Sequence, residues 1–246
     1  MSVRIVKAPH IHDDVSTLVD RITEYGIPAD AERIYGGSRN GLFKIEGCCV
    51  KSFGLPNILN RFVYAWLRHG KARRSFDNAR TLETLAISTP TPYGYSEIRR
   101  GLLFAESYYF CRHVDASDVR DWDNILNNNT LLEAFFDFTI KVFEAGVIHR
   151  DYSPGNILYE TDGNGNIIFW LVDINRMRFG KPDRQTLVKM FTVLTIDPEQ
   201  NRRLCRRFAT YYGIDAEAFS EEVANNLHRY HVKKNRLHRI KHLIKK

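Results

Sequence analysis

Apolar and polar positions alternate in short runs through the first third of the chain. Residues 31–35, 42–45 and 49–53 each read as a strand, separated by the turn signals GGSRNG at 36–41 and Glu46-Gly47, so the pattern predicts a three-strand meander. Apolar residues then recur at 58, 59, 62, 63 and 66, a helical spacing that predicts a helix over 58–67, and a second helical pattern covers 71–85. Prolines at 90 and 92 close that region, and residues 93–98 and 102–110 flank Arg99-Arg100-Gly101 as a hairpin. Five strands and a helical insertion are therefore expected by residue 110.

Past that point the period changes. Residues 130–145 carry apolar side chains at 131, 132, 135, 136, 138, 142 and 143 and stop before Gly146, a C-terminal cap signal. Short strands are expected at 156–159 and 167–172, joined by the polar turn TDGNGN, with Asn156 and Asp173 at opposite ends of this one hairpin. Helical patterns resume at 184–194, 198–212 and 216–230. The expectation is an α+β chain with an antiparallel five-stranded N-terminal lobe, residues 1–110, and a mainly helical second lobe, residues 111–246.

Composition narrows the class. A chain of 246 residues, 43% of them apolar, can bury one large core or two smaller ones. No apolar run reaches signal-peptide or membrane-span length, so a cytoplasmic location is expected. Cys48, Cys49, Cys111 and Cys205 lack metal-ligand spacing and two are adjacent, which argues against a zinc site or a disulfide framework. The net charge of +7 is uneven, because residues 229–246 hold eight Lys and Arg and no acid. Apolar residues at 237, 240, 243 and 244 among these cations fit a short helix lying on an anionic membrane, against the alternative of a solvated terminal helix. Arg61, Arg68, Lys71, Arg73 and Arg74 form a second basic cluster. No groove-reading motif or aromatic RNA signature accompanies the charge, so nucleic acid is not expected as a partner.

The chemistry concentrates in VIHRDYSPGN, residues 147–156, and LVDIN, residues 171–175. Phosphoryl transfer needs metal ions that bridge phosphate oxygens, a cation on the phosphates and a carboxylate that positions the attacking hydroxyl. The pattern H-R-D, four residues, then N puts Asp151 and Asn156 on one tight loop, where the acid can accept a hydroxyl proton and the amide oxygen can ligate magnesium. Asp173 closes an apolar strand and would be the second metal ligand. Singly, each residue has an ordinary structural reading: a strand-ending Asp caps a turn, a strand Lys faces solvent, and His149 is a structural hydrogen-bonder. The joint spacing favours the phosphate-transfer reading. Arg176 and Arg178 face either an anionic acceptor or solvent.

These motifs, with the CVKSF strand and the TPTP entry to a hairpin in the same order, make most of the chain resemble the lipopolysaccharide kinase family of the protein-kinase-like superfamily, which phosphorylates Kdo or heptose of the inner core. The resemblance implies an ATP- and Mg2+-dependent phosphotransferase acting on a lipid-anchored saccharide. It implies Asp151 as catalytic base, Asn156 and Asp173 as metal ligands, and Lys51 on the α- and β-phosphates. It also places Gly36, Gly37 and Gly41 in the phosphate-covering loop. The chain departs from the superfamily pattern in GGSRNG, which is not G-x-G-x-x-G and also reads as a plain hairpin turn, and in Asp-Ile-Asn where regulated protein kinases carry Asp-Phe-Gly. For the acid paired with Lys51, Asp77 in RRSFDNA is favoured over Glu83. Only 73 residues follow Asp173, too few for a long activation segment and a peptide-docking subdomain. Asp197-Pro198-Glu199 reads as a helix N-terminus. A kinase of a soluble small molecule or protein, or a nucleotide-binding scaffold, are the alternatives.

Overall fold

The computed structural model describes the chain except residues 37–39, 55–68, 102, 195–196 and 245–246; for 233–244 it describes backbone only. The expected helix over 58–67, Arg61, Arg68, Gly37 and the side chains of the basic tail lie outside the described residues. Two compact units result: Met1–Ala116 with Trp170–Arg176, and Ser117–Phe169 with Met177–Lys246.

The first unit is built on a six-stranded antiparallel sheet in the order β1-β5-β6-β4-β3-β2. Its strands are β1 (Ser2–Lys7), β2 (Glu32–Tyr35), β3 (Asn40–Ile45), β4 (Cys48–Phe53), β5 (Pro92–Arg100) and β6 (Leu103–Arg112). The five strands read from alternation are present, and β1 adds a sixth on the edge beside β5. Helix α1 (Asp13–Tyr25) covers one face, where Leu18, Val19 and Ile22 pack with Val50, Ile98 and Phe110. Helix α2 (Lys71–Thr84) buries Ala72, Phe76, Ala79 and Leu82, and the Phe76 ring meets Tyr95 at 5.6 Å.

Alternation along β4 decides what faces where. Cys48 and Val50 enter the core beneath α1, so Cys49, Lys51 and Phe53 point to the other side of the sheet. Lys51 pairs in register with Leu42 on β3 and Tyr109 on β6. A central strand paired on both sides holds its lysine rigidly.

The second unit holds α3 (Trp122–Asn127), α4 (Asn129–Glu144), α5 (Arg184–Thr192), α6 (Pro198–Tyr211) and α7 (Ala216–Ile244). It also holds the strand pair β8 (Val147–His149) and β11 (Met177–Phe179), and a small sheet of β7 (Ser117–Asp118), β9 (Ile157–Thr161) and β10 (Ile167–Leu171). The chain passes into the first unit within β10. An aromatic core ties the helices together: Phe143 of α4 meets Phe191 of α5 at 6.0 Å and Phe208 of α6 at 5.2 Å, and Phe191 meets Phe219 of α7 at 5.6 Å. Side-chain caps set the helix starts. Asn128 accepts from the Leu131 N–H, Asp183 from Thr186, and Asp197 from Gln200 at 2.8 Å with Pro198 in the first turn, so Asp197-Pro198-Glu199 is the helix N-terminus the sequence indicated. All four cysteines are free thiols.

Candidate active site

The HRD loop is assembled inside the second unit. Helix α4 ends at Glu144, and Gly146, at φ 69°, turns the chain into β8. Antiparallel pairing of β8 with β11 sets His149 opposite Met177. His149 is buried, and its Nδ1 accepts the backbone N–H of Asp151 at 3.2 Å. Tyr152 is buried as well, with its hydroxyl 3.0 Å from Thr139 Oγ1 and its ring against Phe143. Between these two anchors Asp151 is turned out to solvent. A carboxylate held by its neighbours and exposed at its own tip can meet a hydroxyl without reorganising the loop.

A 3-10 turn at Pro154–Asn156 finishes the loop. Asn156 Nδ2 donates to the Asp151 carbonyl at 2.9 Å and to Ser153 Oγ at 3.1 Å, which commits both amide hydrogens and leaves the carboxamide oxygen as the atom that could meet a cation. A side chain on Gly155 would have to displace the Arg120 guanidinium. A Cβ there would lie 2.1 Å from Arg120 Nη2, and Arg120 is itself ion-paired to Asp118. Neither Arg120 nor Thr139 is marked by any motif, since both act through contacts distant in sequence.

In the first unit, Lys51 meets Asp173, with Nζ 2.5 Å from Oδ1. Several hydrogen bonds among the described residues hold the segment bearing Asp173. Leu171 N–H donates to the Ser88 carbonyl at 2.9 Å, Thr89 Oγ1 donates to the Leu171 carbonyl at 2.8 Å, Asn78 Nδ2 of α2 donates to the Ile174 carbonyl at 2.6 Å, and Asn175 Nδ2 donates to Asp173 Oδ1 at 2.6 Å. Asp173 itself has φ 53°. That left-handed backbone costs about 1–2 kcal/mol for a residue with a Cβ, least for Asn and Asp, and it directs the carboxylate toward Lys51. Asp-Ile-Asn thus has a local physical role: the buried Asn175 fixes the carboxylate oxygen.

Lys51 takes Asp173 and not an acid of α2. Asp77 is 3.4 Å from Arg73 and 4.0 Å from His69, while Glu83 is 2.8 Å from Arg80; among the described residues neither pairs with Lys51. Gly36 sits at φ 120° where a Cβ would lie 2.1 Å from the Asn40 carbonyl, and a Cβ on Gly41 would lie 2.3 Å from the Phe43 ring. Gly36 therefore permits backbone geometry that a larger residue would not. Burial holds Lys71 below the usual lysine range, with Arg176, Lys51 and Arg74 reinforcing the effect and Asp173 opposing it.

Carboxylate and carboxamide oxygens, such as those of Asp173 in the first unit and Asn156 in the second, are of the hard donor type that magnesium takes. Among the described residues no group of three or more His, Cys, Asp or Glu forms a metal cage.

The two units and their polar loops are those of a protein-kinase-like fold. The chain aligns over 91% of its length with 99% of WaaP, solved in complex with acyl carrier protein, at TM-score 0.56 and 16% identity. It aligns over 86% of its length with 66% of the Rio2 kinase of Chaetomium thermophilum, solved as an ADP/Mg2+-phosphoaspartate complex, at TM-score 0.50 and 15% identity. In sequence, the chain is 25% identical over 126 residues to a 3-deoxy-D-manno-octulosonic acid kinase of Xanthomonas oryzae pv. oryzae. That match takes in 50% of this chain and 49% of the relative, so the chain spans about half the length of the curated relatives it matches. No family model matches the chain. The resemblance read from HRDYSPGN and LVDIN thus accords with a protein-kinase-like fold and with half-chain sequence similarity to a Kdo kinase.

Proposed function

We propose that the protein is a kinase that transfers a phosphoryl group from ATP to a sugar hydroxyl, Kdo or heptose, of the lipopolysaccharide inner core. The observation that carries this is the pairing of Lys51 with the strained Asp173, in a chain whose HRD loop turns Asp151 outward on buried anchors. Bound ATP and Mg2+ would supply the transferable group and neutralise its developing charge. Asp151 accepts the acceptor hydroxyl proton. Asn156, through its carboxamide oxygen, and Asp173, through its carboxylate, hold magnesium. Lys51 holds the α- and β-phosphates, and Gly36, Gly37 and Gly41 belong to the loop that covers them. Asp77 serves this machinery indirectly, by neutralising Arg73 beside the start of α2.

The choice of acceptor is supported by the sequence relatives, which are named Kdo kinases. No described helix is long and apolar enough to cross a membrane. Residues 237–246 would instead rest on the anionic leaflet that carries the acceptor. The test is transfer from γ-labelled ATP to purified Kdo-lipid A, to soluble sugars and to a peptide pool. Labelling of Kdo-lipid A is expected; labelling of peptides or soluble sugars alone refutes the acceptor, and nucleotide binding with no transfer to any of them points to a scaffold. Deletion of residues 237–246 should weaken binding to anionic vesicles, and unchanged binding removes the tail from the account.

A further inference from the structure

Phe53 closes β4 with its ring buried, and two ammonium groups lie over that ring: Lys51 Nζ at 5.5 Å and Lys71 Nζ at 5.8 Å from its centroid. Lys71 is the first residue of α2 and, among the described residues, forms no ion pair. The charges that act on it are Arg176, Lys51 and Arg74, opposed by the single carboxylate of Asp173. That carboxylate already receives Lys51 and Asn175 on Oδ1.

The excess of cations is not a requirement of the helix. The first turn of α2 holds no acid and carries Lys71, Arg73 and Arg74, the sign that a helix N-terminus disfavours. Arg73 is taken by Asp77, so that charge has a local partner. Among the described residues Lys71 lies on the face of Phe53 without an ion pair, beside a lysine of the same sign. A partly buried ammonium in such company is stabilised when a polyanion enters, because the ligand supplies the negative charge that the protein withholds.

The geometry points to Lys71 as a second phosphate-binding residue beside Lys51, contacting the oligophosphate of the nucleotide. This rests on the kinase reading and adds to it a cation from α2. One sheet lysine and one helix lysine, both braced on Phe53, grip the phosphates, and Asp173 is left to the metal.

The test is calorimetric binding of adenosine, ADP and ATP to the full chain as wild type, Lys71→Met and Lys71→Arg. Methionine keeps an apolar stem over Phe53 and removes the charge, while arginine keeps the charge. We expect Lys71→Met to weaken ATP and ADP by about tenfold or more, to leave adenosine unchanged, and to be largely rescued by Lys71→Arg. Unchanged ATP and ADP affinity in Lys71→Met overturns the inference and leaves the kinase reading standing. An equal loss of adenosine and ATP affinity also overturns it, by assigning Lys71 a structural role. Failure of the wild type to bind any of the three overturns both.

Discussion

Replacing Asn175 by alanine isolates the role of the Asp-Ile-Asn tripeptide. Asn175 is buried, and its amide donates to Asp173 Oδ1 at 2.6 Å. A hydrogen bond to an ionised group contributes about 1.5–3 kcal/mol when both partners are sequestered. Here the Asp173 side chain is 40% exposed and keeps Lys51 at 2.5 Å, so water and the lysine recover part of that loss. The net cost to stability should be about 1 kcal/mol, a fall of about 2–4 °C in Tm for a chain of this size. Transfer should suffer more. Asp173 sits at φ 53° with its carboxylate aimed by Asn175 and Lys51 together, and freeing one of the two loosens a prospective metal ligand. The expected drop in single-turnover phosphate transfer is about ten- to a hundredfold, with ATP affinity changed far less. A variant that loses Tm yet transfers at the wild-type rate refutes the reasoning and makes Asn175 a folding residue only.

Other positions separate stability from chemistry. Thr139→Val strands the buried Tyr152 hydroxyl and should cost about 1–3 kcal/mol, while Thr139→Val with Tyr152→Phe should recover most of it in a double-mutant thermal-unfolding cycle. Gly155→Ala would drive a methyl into the Arg120 guanidinium; because that side chain is 62% exposed and can move, Tm should shift little, whereas transfer should fall as Asn156 is displaced. Burial raises the Glu97 carboxyl above its usual range, with Arg4, Arg99, Arg73 and the Gly70 N–H opposing. A folded value above the unfolded one means stability that is complete below the ordinary carboxylate range and lost as pH rises through the folded value. Glu97→Gln removes that loss, so its Tm advantage over wild type should open as pH increases from about 4 to about 8, and a constant gap contradicts the assignment.

How much of this was readable from residues alone varies with the range of the contacts. Helix α4 was visible because its apolar stripe and Gly146 are local signals, and the same holds for the Asp197 cap. The HRD loop could be placed because Asp151 and Asn156 are fixed by neighbours within five positions. Strand β1 was missed for a physical reason. Its alternating Val3 and Ile5 are 45% and 39% exposed on a sheet edge, so its pattern marks no core face and its existence depends on pairing with β5. The resemblance puts the partner of Lys51 in RRSFDNA on α2, yet among the described residues the acid that meets it is 122 positions away. Lys71 escaped notice among the basic residues around it, since its distinction lies in sharing the Phe53 ring with Lys51.

The central claim concerns Asp151, exposed on a loop whose neighbours are buried. Its direct test is a single-turnover assay with γ-labelled ATP and Kdo-lipid A, comparing wild type with Asp151→Ala at matched ATP occupancy. The account predicts labelled Kdo with the wild type, and a rate reduced by about a hundredfold or more in a variant whose Tm and ATP affinity are unchanged. Equal rates in the two proteins, or no labelled sugar from a wild type that binds ATP, would contradict it.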